Sequence, residues 1–215
     1  MKFRDRTDAG RALADALAPG PAPPFVVGAI PRGGVTVALP LVERFRAPLA
    51  LVYAGKLTAT FAPEFAFGAL DTDGEAHVEA ESVLTLGLSP MDVEAAKARV
   101  RGEIQRRMAA YGASSLGAYL PGPGVVLVDD GLATGLTMRV ALTYARRHGA
   151  RDVTVAVPCA AAQAAREFER AADRFVSLVV DPEFRAVGQY YLDFSPVSDD
   201  EVRALLARAA TASGA

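Results

Sequence analysis

Asp129 and Asp130 are adjacent acids placed between an apolar run and a turn of small and hydroxyl-bearing residues. Val125-Val126-Leu127-Val128 precedes them and Gly131-Leu132-Ala133-Thr134-Gly135-Leu136-Thr137 follows. The VVLV run reads as a buried parallel strand. Acids at its carboxyl end would lie where open α/β sheets bind ligands. The turn would bring backbone N–H groups and the hydroxyls of Thr134 and Thr137 to the start of a helix, a natural anion site. Carboxylates suit the hydroxyls of a sugar, and such a cradle suits its phosphate. Acids that merely capped the helix would leave the two threonines unexplained.

A second segment has the same build. Phe25-Val26-Val27-Gly28-Ala29-Ile30 reads as a buried strand, Pro31-Arg32-Gly33-Gly34 as a turn, and VTVALPLVERF as a helix. Adjacent glycines let backbone N–H groups approach an anion closely. Arg32 adds a permanent charge with forked donors. A strand-to-helix turn can also need Gly-Gly for conformational reasons alone, and the two explanations stay open for this segment.

Taken together and in this order, the segments resemble the type I phosphoribosyltransferases, whose signature is an apolar strand, two acids, a short variable stretch and Thr-Gly-x-Thr. The resemblance implies an α/β fold: a Rossmann-like parallel sheet of about five strands flanked by helices, with a hood insertion. It implies that Asp129 and Asp130 hold the two ribose hydroxyls of phosphoribosyl pyrophosphate. Ala133, Thr134, Gly135, Leu136 and Thr137 would wrap the 5′-phosphate. Pro31, Arg32, Gly33 and Gly34 would bind the pyrophosphate, and in the family this loop often carries a cis peptide, here Pro31–Arg32. Lys56 either faces pyrophosphate too or is a solvated surface lysine. The implied reaction is Mg²⁺-dependent transfer of ribose 5-phosphate to a nitrogenous, nucleobase-like acceptor with release of pyrophosphate. Catalysis would then be mainly positioning and electrostatics, carried by Asp129, Asp130 and Arg32.

The stretch from Asp181 to Phe194 is similar to a loop of purine-using family members, with one extra residue between Gly188 and Asp193. By that resemblance Phe184, Tyr190 and Tyr191 would stack on the base. Asp193 would join Asp129 and Asp130 near the metal, acting through ribose hydroxyls or water. The alternative is that these aromatics belong to the core. Many 6-oxopurine members carry an acid where this chain has Ala133, which disfavours hypoxanthine or guanine as acceptor. A different class of function fits the same motif: a non-catalytic protein that senses phosphoribosyl pyrophosphate or a nucleotide. A nicotinamide enzyme is disfavoured, because PRGG stands where G-x-G-x-x-G would be needed.

The elements that must position these residues alternate. Strands are predicted at 25–30, 49–54, 125–129, 153–157 and 174–180, with helices at 7–17, 34–45, 136–148, 160–171 and 198–209. Such alternation predicts a parallel sheet with right-handed crossovers. The tail ATASGA is expected to fray. One domain is expected over 1–215, with 56–112 as a cap or hood insertion. Within it a hairpin should turn at Asp73-Gly74. A helix should start after the N-cap Ser89, with Pro90 first, Asp92 completing the cap, and Val93, Ala96, Val100, Ile104, Met108 and Tyr111 on its apolar face. Lys97, Arg99, Arg101, Arg106 and Arg107 read as its solvated face.

Composition excludes several classes. The net charge is −2 and the pI near 5.8, without the basic stripe of a general nucleic-acid binder. No apolar run is long enough to cross a membrane. The N-terminus lacks an apolar signal core, so a cytoplasmic protein is expected. Cys159 is the single cysteine, which excludes an internal disulfide. It sits in an apolar stretch and reads as a small buried hydrophobe. Relatives of this kind are often homodimers, but no sequence feature fixes an interface.

Overall fold

The computed structural model describes residues 2–112 and 115–213. In chain order the elements are α1 (Arg6–Ala16), β1 (Phe25–Ala29), α2 (Gly33–Phe45), β2 (Leu49–Leu51), β3 (Ala54–Ala59), β4 (Ala62–Asp71), β5 (Ala76–Val78), α3 (Ala80–Thr85) and α4 (Pro90–Tyr111). Then follow β6 (Gly124–Val128), α5 (Leu136–Arg147), β7 (Val153–Ala161), α6 (Ala162–Ala171), β8 (Arg174–Asp181) and α7 (Asp199–Ala212).

The expected α/β architecture is present. Five parallel strands form the central sheet in the order β2-β1-β6-β7-β8. Alternate residues of β1 and β6 serve opposite faces. Val27, Ala29, Val126 and Val128 pack with Leu13, Leu17, Val37 and Leu41 beneath α1 and α2. Val26, Val125 and Leu127 pack with Met138, Leu142 and Phe168 beneath α5 and α6. All five residues of β6 are buried, and each large apolar side chain so placed contributes about 1.5–3 kcal/mol. From β1 the chain moves outward to β2, then returns to the other side of β1 as β6. The switch point of the sheet therefore lies between β1 and β6, whose last residues, Ala29 and Val128, pair directly.

Several boundaries differ from the sequence expectation. The strand expected at 49–54 is split: β2 ends at Leu51, and Ala54 already belongs to another sheet. The strand expected at 125–129 stops at Val128, so both acids lie beyond it. Strand β7 runs on to Ala161 because β8 continues beside it as far as Asp181. Helix α7 extends through Ala212, so three residues of the tail expected to fray are helical; alanine favours the helix. Gly214 and Ala215 of that tail lie outside the described residues.

Between β2 and β6 the chain builds an antiparallel sheet, β3-β4-β5, with α3 and α4. The turn falls at Asp73-Gly74 as expected, with Gly74 at φ 86°. Strand β3 has no counterpart in the sequence expectation. Helix α4 begins as read: Asp92 N–H donates to Ser89 Oγ, and Ser89 N–H donates to Asp92 Oδ2 at 2.8 Å. Ala96, Val100, Ile104 and Tyr111 are buried, and Val93 and Met108 pack beside them.

The end of α5 ties this unit to the central sheet. Asp71 is buried and accepts the N–H groups of Asp73 and Glu75. Arg147 Nη2 lies 3.0 Å from Asp71 Oδ2 and 2.6 Å from Asp73 Oδ2, and His148 Nε2 is 2.8 Å from the same Asp73 oxygen. Burial alone would raise the Asp73 carboxyl, but hydrogen bonds from His148 and Arg147 outweigh it and hold it below its usual value.

This packing has consequences for stability. A Cβ on Gly34 would lie 2.8 Å from the Val128 carbonyl oxygen and 3.1 Å from Asp129 Cα, both backbone atoms. Gly34→Ala is therefore expected to destabilise the protein by about 1–3 kcal/mol, and urea denaturation measures this. A depressed carboxylate contributes stability above its unfolded pKa and loses it as pH falls through the folded value. The wild type should thus lose more stability than Asp73→Asn as pH falls below about 4. Parallel denaturation series for the two proteins show whether their curves converge in acid.

Candidate active site

Two helices begin at the switch point. Helix α2 starts at Gly33 just after β1, with Arg32 at its N-cap, and no side chain caps it. Helix α5 starts after Gly135, whose φ of 76° suits glycine, and it too has no side-chain cap. Uncapped N–H groups and the positive helix ends therefore face the carboxyl edge of the sheet. The Pro31–Arg32 peptide is cis, as the resemblance implies.

The acids lie against the glycine turn. A Cβ on Gly33 would come within 2.0 Å of Asp130 Oδ2. The double glycine therefore lets α2 start in contact with the acid loop, a reason that the sequence reading, focused on anions, did not supply. Asp130 N–H donates to Asp129 Oδ1 at 2.8 Å, and Arg6 Nε donates to Asp130 Oδ2 at 2.8 Å. Asp129 Oδ2 and Asp130 Oδ1 accept no hydrogen bond from the described residues. Each carboxylate is thus half committed to the protein and half uncommitted.

Burial, and then the charge of Asp130, push the Asp129 carboxyl well above the usual carboxylate range. The Asp130 N–H and the charges of Lys56 and Arg6 oppose that rise. Lys56 is exposed on β3, so a cation from the second sheet acts on Asp129. Cys159 is buried, and burial followed by the charges of Asp130 and Asp129 pushes its thiol up to about 12. It is the inert packing residue expected from its apolar context.

The remaining expected residues fall into three groups. Thr134 is exposed and Ala133 and Thr137 half-buried around the start of α5; Gly135 and Leu136 are buried, with Gly135 against the Phe168 ring. Arg32 is exposed, and its Nη1 lies 3.6 Å from Asp199 Oδ1 at the start of α7. The same Asp199 oxygen accepts the Tyr111 hydroxyl at 2.8 Å. Third, the expected aromatics pack against the protein: Tyr190 and Tyr191 are 5% and 4% exposed and Phe184 is half-buried. Tyr190 donates to Asp181 Oδ2 and stacks on Phe184, while Tyr191 donates to the Asp130 carbonyl oxygen at 2.6 Å. Asp193 lies on the same segment. Its Oδ1 accepts the N–H and hydroxyl of Ser195, and among the described residues no three acidic, His or Cys side chains group to hold a metal.

Sequence reasoning missed Arg6, Tyr111 as a polar contact, and Asp199. Arg6 reaches Asp130 across 124 positions of the chain. The charge-rich N-terminal stretch around it carries no local pattern that marks one arginine from its neighbours. None of the described helices is long and apolar enough to cross a membrane.

Comparison with known proteins agrees with this geometry. The profile of the phosphoribosyl transferase domain matches residues 7–195. Two curated proteins of Mycobacterium tuberculosis, Rv0571c of strain H37Rv and MT0597 of strain CDC 1551, carry a provisional phosphoribosyl transferase name and are each 40% identical over 207 residues. The match covers 96% of this chain but 47% of theirs, so the chain spans about half the length of these relatives. The crystal structure of TT1426 from Thermus thermophilus superposes with a TM-score of 0.74 at 39% identity, covering 96% of this chain and 98% of that one. With the acid pair, the glycine turn and the parallel sheet in place, these matches show that the chain belongs to the phosphoribosyl transferase domain family.

Proposed function

We propose that the chain transfers ribose 5-phosphate from phosphoribosyl pyrophosphate to a nitrogenous acceptor and releases pyrophosphate. One observation carries this reading: two half-committed carboxylates lie between two uncapped helix N-termini at the switch point of a parallel sheet. Asp129 Oδ2 and Asp130 Oδ1 would accept the ribose hydroxyls. The start of α5, with Thr134 and Thr137, would take the 5′-phosphate. The Pro31–Gly34 turn, Arg32 and Lys56 would take the pyrophosphate. Arg32 must leave Asp199 to do so, and an exposed pair of this kind contributes only about 0–1 kcal/mol.

As the acceptor nitrogen bonds to the sugar carbon and the bond to pyrophosphate breaks, positive charge grows on the ribose and negative charge on the leaving group. The carboxylates would face the first charge, and the start of α2, with Lys56 and an Arg32 released from Asp199, would face the second. The donor set also fits Mg²⁺, an oxygen-seeking ion that keeps several waters and needs few protein ligands. When bound with the substrate it would neutralise pyrophosphate charge. The 56–112 unit would act as the hood, tied down by Arg147 and bringing Lys56 over the acids.

Calorimetric titration with phosphoribosyl pyrophosphate and Mg²⁺ tests the reading. Wild-type binding that disappears in the Asp129→Ala/Asp130→Ala double variant is the expected result, and undiminished binding in that variant would remove the acid pair from the site. With an acceptor found by screening bases for pyrophosphate release, Asp130→Asn should lower turnover or sugar-pyrophosphate affinity at least about tenfold. Metal-dependent binding without release for any base would instead identify a sensor.

A further inference from the structure

We propose that Arg6 is a positioning residue for the acid pair, pinning one oxygen of Asp130 so that the other is presented to a ribose hydroxyl. The inference rests on the reading that this site takes phosphoribosyl pyrophosphate. It assigns a function to a residue outside both sequence motifs and on the first turn of a helix remote in the chain.

Arg6 is itself held from several sides. Nε donates to Asp130 Oδ2 at 2.8 Å and Nη1 donates to the Ser195 carbonyl at 2.9 Å. The guanidinium carbon lies 3.8 Å from the centroid of the Phe194 ring. These three contacts use the fork, the plane and the charge of the group at once, which a lysine cannot reproduce. The backbone around it is also fixed. Phe3 N–H donates to the Tyr190 carbonyl, Leu192 N–H to that of Phe3, and Asp193 N–H to that of Arg4. Residues near the two chain ends are therefore laced together beneath the acid loop.

This lacing holds Asp130 twice. Tyr191 donates to its backbone carbonyl and Arg6 to its carboxylate. On the other side lies Gly33, where a Cβ would meet Asp130 Oδ2 at 2.0 Å and Arg6 Nε at 2.9 Å. The carboxylate is confined between a guanidinium and bare backbone. A purely structural ion pair gains from engaging both carboxylate oxygens in a bidentate fork. Here Arg6 engages Oδ2 alone and turns its next donor to Ser195.

The test compares binding of two probes by calorimetry with Mg²⁺: phosphoribosyl pyrophosphate, which carries the ribose hydroxyls, and inorganic pyrophosphate, which does not. Arg6→Met keeps much of the side-chain volume and removes the charge and the donors. It should weaken phosphoribosyl pyrophosphate about tenfold or more while pyrophosphate stays within about twofold, and Arg6→Lys should recover part of the loss. Equal losses for both probes, or unchanged binding of phosphoribosyl pyrophosphate, would overturn the proposal. If Arg6→Met does not fold, Phe194→Leu removes the ring beneath the guanidinium and leaves the ion pair. It should show the same selective loss at about threefold, and no loss would count against the proposal. Failure of the wild type to bind phosphoribosyl pyrophosphate would overturn the underlying reading and this inference together, a result distinct from failure in the variants alone.

Discussion

Two carboxylates on consecutive residues repel each other, and at the end of a buried strand little water is present to screen them. Much of the surrounding structure responds to that constraint. The Asp130 N–H folds back onto Asp129, Arg6 closes on Asp130, and Lys56 adds its charge from β3. The same pair requires a partner helix that approaches without a side chain, hence Gly33 and Gly34 at the start of α2. Even so, burial and mutual repulsion still hold the Asp129 carboxyl well above its usual range. Hydrogen bonds from bound hydroxyls, or a nearby cation, would relieve this state, as the proposed sugar pyrophosphate and its metal would.

The parts legible in the sequence are those whose signal is local. The buried VVLV and FVVGAI strands, the glycine turns and the Ser89-Pro90-Asp92 helix start each follow from patterns a few residues long, and the structure has each of them. The signal weakens where pairing decides. The stretch 49–54 is uniformly apolar, yet Leu51 ends one sheet and Ala54 begins another, because the ladder with β1 ends at Leu51 and that with β4 begins at Ala54. Periodicity cannot show such a change of partner. The side-chain network around Asp130 was equally hidden. Arg6, Tyr191 and Phe194 come from opposite ends of the chain, and only the folded lacing of those ends brings them to the acid loop.

The fate of Tyr190 and Tyr191 shows how the same residues can serve a site indirectly. Consecutive aromatics beside a binding loop invite assignment as a stacking platform. Their hydroxyls point inward instead, to Asp181 and to the Asp130 carbonyl. Burial pushes the Tyr191 hydroxyl far up, as do the nearby Cys159 and Asp130, so it remains a neutral donor throughout the physiological range. A buried donor with one acceptor at 2.6 Å is a fixed strut. The segment from Tyr190 to Ser195 thus supports the acids from below.

That division bears on where acceptor specificity resides. Apart from Lys56, the groups proposed for the sugar, its phosphate and the pyrophosphate sit on turns and acids at the edge of the central sheet. The tyrosines are committed to support, whereas the Ala133 loop is half-buried and Phe61 and Phe65 of the β3–β4 hairpin are exposed. Ala133 offers no proton acceptor, and the hairpin offers apolar surface. The Ala133 stretch and Phe61 lie in connecting turns, which tolerate change more readily than packed strands. If the proposed reaction holds, the sheet edge would carry the binding of the activated sugar, and the choice of its nitrogen partner would fall to the more variable segments around it.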